Sequence, residues 1–147
     1  MRIEGGVRAD ADVSWALSPL LELRGVVHGL VATSDGMVRG ASTGLSREEG
    51  EGASAMLSAL QSAARAVAVE MSGDSATRIR QVAVETHDGF VFAVPAGTHS
   101  VLAIYANRDV DMGNVTYEMQ RQVALLAEKV LHSPARDLPG RPGDLSA

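Results

Sequence analysis

The residues of this chain that could do chemistry are few and scattered. There are four histidines. His28 sits inside an apolar run and reads as a structural side chain. His87 and His99 fall in successive hairpin turns, which places them at opposite ends of a sheet and rules against a shared metal. His132 stands at the carboxyl end of the last predicted helix, where the helix dipole favours a cation. Asp35 and Asp88 each come shortly before a glycine, a pattern that makes turns rather than a general acid and base. No HExxH motif is present. Gly36, Gly40 and Gly44 recur at a four-residue spacing, but no GxxxxGK[ST] phosphate loop follows, and the only lysine is the distant Lys129. Arg39, Arg47 and Arg65 could in principle reach into another protein's phosphoryl-transfer site, yet their setting suggests ordinary surface pairing. No catalytic, cofactor-binding or metal-binding residue is therefore assigned, and an enzyme is not expected.

Composition narrows the remaining classes. A chain of 147 residues fits one domain with a sizeable core. There is no cysteine, which excludes disulfides, thiolate metal sites and cysteine nucleophiles. A formal net charge of −5 without a basic patch makes nucleic acid or an anionic membrane an unsuitable partner. No apolar run reaches the roughly 18 residues that span a bilayer, and residues 1–6 lack the apolar core of a secretion signal. A cytoplasmic protein is expected, recruited to a membrane, if at all, through a partner.

The elements that must position any functional surface can be read in order. Residues 1–11 are expected to form a flexible leader, 12–132 the domain, and the proline-rich stretch 133–147 a disordered tail. A short helix capped by Asp12 presents Trp15, Leu20, Leu21 and Leu23 as its apolar side, and Pro19 predicts a break near Ser18. Val26 to Thr33 and Met37 to Ser42 form a hairpin through Ser34-Asp35-Gly36. Gly40 marks a bend or a close neighbour in its second strand. Three further strands are predicted over Arg78–Thr86, Phe90–Pro95 and Ser100–Ala106. The last two are apolar on both faces and should be central. The third strand is more polar and suits a sheet edge. A final helix from Met112 to Leu131, capped by Asp111, buries Val115, Met119, Val123, Leu126 and Val130 and should run beside the first strand pair. The fold class that results is an α/β (α+β) sandwich: one five-stranded antiparallel sheet between helices, in the order helix-strand-strand-helix-strand-strand-strand-helix.

The organising element is a long helix from Ser46 to Ser72, opened by the capping-box pair Ser46 and Glu49. Its stripe of Ala53, Met56, Leu57, Leu60, Ala64, Val67, Ala68 and Met71 is expected to pack on the sheet. The opposite face carries the small residues Ala55, Ala59, Ser62, Ala63 and Ala66, which read either as an alanine-rich solvent face suited to helix propensity or as a face that permits close approach of a second subunit. Ser54, Ser58, Gln61 and Arg65 line a narrow polar edge and are the candidates for contact with a partner.

The chain resembles the roadblock/LC7 family, in particular its actinobacterial branch. The resemblance lies in the run from Gly25 to Gly36, in Gly44-Leu45-Ser46-Arg47-Glu48-Glu49, in Leu60 to Arg65, in Gln81 to Thr86 and in Asp111 to Met119. Their order and spacing cover about Ser14 to His132. The resemblance implies a homodimer in which the long helices pack antiparallel and the third strands pair, through Ile79, Gln81, Ala83 and Glu85, into one continuous sheet. It implies a non-catalytic platform for a Ras-like small GTPase, acting on its nucleotide state or location, with no cofactor. A co-encoded sensor kinase system is a further implied partner. Two alternatives stay open: a factor that stimulates the GTPase by arranging its switch loops, and a small-ligand sensory domain, which would need a cavity near the sheet.

Overall fold

The computed structural model describes residues 12–131, with side chains through Lys129; the expected leader and tail, His132 and the Val130 side chain lie outside the described residues. A 3-10 turn, Ser14–Leu17, runs into a short α-helix, Ser18–Leu21 (α1), so the helix changes type where Pro19 enters its first turn. The strands are Val26–Thr33 (β1), Val38–Ala41 (β2), Val82–Glu85 (β3), Gly89–Pro95 (β4) and Ser100–Asn107 (β5). The long helix is Arg47–Ser72 (α2). The last helix, Met112–Leu126 (α3), loosens into a π-helical turn over Ala127–Leu131. All pairings are antiparallel, in the order β2-β1-β5-β4-β3.

Both long helices begin where the sequence says they must. Ser46 Oγ accepts the amide of Glu49 at 3.0 Å and Glu49 returns the bond to the Ser46 amide at 2.9 Å. Two of the helix's orphan donors are thereby satisfied. Asp111 accepts the amide of Asn114 at 3.1 Å. Gly73, with φ of +76°, closes α2 in the left-handed conformation.

The sheet is covered unequally. One face, with the first helices and α3, holds the larger core: Leu17, Leu20, Val31, Phe92, Leu102, Ile104, Val115, Met119 and Leu126. The other face holds Leu30, Ala93, Val101 and Ala103 under Leu57 of α2. Alternation along β4 and β5 sends bulky residues one way and mostly small ones the other, so α2 can sit close to the sheet. Gly40 has the close neighbour its position suggested. A Cβ there would stand 2.8 Å from the Ser14 amide nitrogen.

Four sequence expectations change. The third strand is shorter than Arg78–Thr86: Ile79 and Gln81 precede it, and extending its register would set Arg80 opposite Pro95, which offers no amide. α3 packs on β4 and the first helices, not beside β1 and β2, because those helices already cover the first strand pair. Trp15 is 41% exposed, with the Lys129 ammonium 5.8 Å from its ring centre, and Ala16 and Leu17 are buried in its place. The fourth change concerns α2.

Candidate functional site

The sheet-facing side of α2 is not the stripe of its largest apolar residues. Gly50, Ser54 and Leu57 are buried, with Gln61, Ala64 and Ala68 half-buried along the same line. At 100° per residue this face is turned by about 60° from the expected one. Met56, Val67 and Met71, expected in the core, are instead 67%, 56% and 84% exposed. The reason is steric: α2 lies over β1 and β2, where small residues bring the helix close and leave no room for long side chains.

The outward side of α2 is therefore both small and apolar. Ala55, Ala59, Ser62, Ala63 and Ala66 are exposed, flanked by Met56, Val67 and Met71. The two sheet edges differ. Beside β2, the Val13 amide donates to Arg39 O at 2.9 Å and the Ala41 amide to Ser14 Oγ at 3.3 Å, so the chain's own first residues occupy part of that edge. β3 is the last strand on its side, and Ala83, Val84 and Glu85 are exposed on it. Ile79 is half-buried and Gln81 exposed just before the strand. Glu85 is already engaged within the subunit, accepting from Arg108 Nη2 at 2.6 Å.

The four polar candidates for partner contact do not form one surface. Ser54 is fully buried, which corrects its assignment, because it lies on the line that faces the sheet. Ser58 is half-buried and donates to Ser34 O at 2.5 Å. Gln61 is half-buried as well. Arg65 alone is exposed, and its Nε and Nη2 donate to Thr77 O at 3.2 Å and Ser75 O at 2.9 Å. Its sequence neighbours gave no sign of this, since the acceptors are backbone carbonyls of the α2–β3 link.

His87 and His99 lie in the β3–β4 and β4–β5 turns, at opposite ends of the sheet, and the described residues contain no group of three metal-ligating side chains. Among the described residues no helix is long and apolar enough to cross a membrane.

Comparison with known proteins fits this arrangement. A family model described as the Roadblock/LC7 domain matches residues 14–106. The chain belongs to that family. The match ends before α3, so the likeness read at Asp111 to Met119 lies beyond it. The crystal structure of a Roadblock/LC7 domain from Streptomyces avermitilis is 28% identical with a TM-score of 0.75, over 82% of this chain and 98% of that one. The gliding protein MglB of Thermus thermophilus is 16% identical with a TM-score of 0.72, over 89% of this chain and 96% of that one. Myxococcus xanthus MglB is 9% identical with a TM-score of 0.70, over 87% and 92%. At those two identities the likeness is one of fold. No curated protein matches the chain.

Proposed function

We propose that this Roadblock/LC7 protein acts as a homodimer that binds a Ras-like small GTPase and biases its nucleotide state or its location. The observation that carries the reading is the exposed apolar side of α2, with Met56, Val67 and Met71 around a floor of alanines, together with the exposed edge strand β3. Exposed methionine and valine on one helix face lose water favourably against a second copy. The small residues Ala55, Ala59, Ser62, Ala63 and Ala66 set the close approach of the two helices. Ala83 and Glu85, with Ile79 and Gln81 leading into them, supply the strand edge. A solved MglB with a tetrameric arrangement gives a precedent for self-association in this fold.

In this reading the paired helices form a rigid platform, with Arg65 the one polar candidate left exposed for the GTPase. Such a platform shifts a switch protein only by the difference between its affinities for the two nucleotide states. The test is binding to a co-encoded Ras-like protein loaded in turn with GDP and with a non-hydrolysable GTP analogue. A preference of tenfold, about 1.4 kcal/mol, is expected. Equal affinities would remove the mechanism, and turnover with and without this protein separates a platform from an activator. The sensor kinase link is tested in the same way, by binding to the co-encoded kinase.

A further inference from the structure

Between α2, the α2–β3 link and the β4–β5 turn lies a cleft of about 610 Å³. That volume falls within the range of small-molecule sites. Its lining includes Arg65 and Arg78 and no carboxylate, in a chain with 18 acidic residues against 13 basic ones. The charge is locally inverted, and neither arginine has an acidic partner among the described residues. Arg65 is held in place by its two bonds to the link, which leave Nη1 without an acceptor. Arg78 makes no side-chain hydrogen bond to any described residue.

The two turns that frame the cleft are tied by the Ser34 amide, which donates to His99 O at 2.7 Å. The geometry points to a binding site for a small organic anion that carries a phosphate or carboxylate. The arginines take the anionic end by charge-assisted bonds. Ser62, Ala66 and Ile79 line the cleft too, so it adjoins the proposed subunit seam, but the site rests on the cleft alone and not on the GTPase reading.

The experiment titrates the full chain with ribose 5-phosphate and with malate, using neutral ribose and sodium chloride at matched ionic strength as controls. Binding is followed by calorimetry and by backbone amide shifts. Saturable binding of either anion, with the largest shifts at Gly97 to Val101 and none caused by ribose or chloride, is expected, and the anion that binds assigns the class. Arg78→Gln, at an exposed and unpartnered position, should weaken binding at least tenfold with an unchanged circular dichroism spectrum. Absence of saturable binding by both anions at tens of millimolar, shifts centred elsewhere, or wild-type affinity in Arg78→Gln would overturn the site.

Discussion

Ala59→Glu tests the outward face of α2 directly. Ala59 is exposed in the single subunit, so the change should leave the fold within about 0.5 kcal/mol of wild type. In the proposed dimer the same position is enclosed. A charge buried without a partner costs about 3–5 kcal/mol, and a two-fold interface contains the residue twice. The total is about 6–10 kcal/mol; if water relieves half, about 3–5 kcal/mol remains, which weakens association roughly 100- to 4,000-fold, and with no relief the loss is more than about 10,000-fold. Sedimentation velocity over a wide concentration range is the assay, with circular dichroism as the check on folding. Wild type should sediment as a dimer at tens of micromolar and the variant as a folded monomer. A monomeric wild type, or a variant of unchanged mass, would refute the reasoning that the apolar side of α2 is a subunit interface.

Two further outcomes follow from the fold. Gly40→Ala would drive a Cβ to within 2.8 Å of the Ser14 amide nitrogen and 3.1 Å of its Cα, so backbone must move. Overpacking of this kind costs about 1–3 kcal/mol, read as a fall of several degrees in Tm; an unchanged Tm would show that the first turn is free to shift. Glu49 is held below its ordinary pKa of 4.5, first by the Ser46 amide, then by the Ser46 side chain and more weakly by His28. A carboxylate depressed in the native state stabilises the fold above its unfolded value and loses that contribution as pH falls through the native one. The difference in urea midpoint between wild type and Glu49→Gln should accordingly shrink as pH drops below 4.5. A difference that stays constant through the carboxylate range would show that the charge plays no part in the cap.

The sequence by itself determined the elements whose causes are local. Ser46 and Glu49 set the start of α2 because both ends of the capping box lie within four residues. Pro19 set the change of helix type, Asp35-Gly36 and Asp88-Gly89 set hairpin turns, and the two-sided apolar runs of β4 and β5 set their interior place in the sheet. The polarity of the third strand was enough to put it at an edge. Tertiary structure alone decided which side of α2 faces inward. Periodicity gives the width of an apolar stripe but not its direction when a helix has two apolar sides, and the small residues of β1, β2 and β5 selected Ser54 and Leu57 over Met56 and Met71. It likewise decided that Arg65 and Arg78 share a cleft with Ser100, since the α2–β3 link and the β4–β5 turn are far apart along the chain and meet only when the sheet closes.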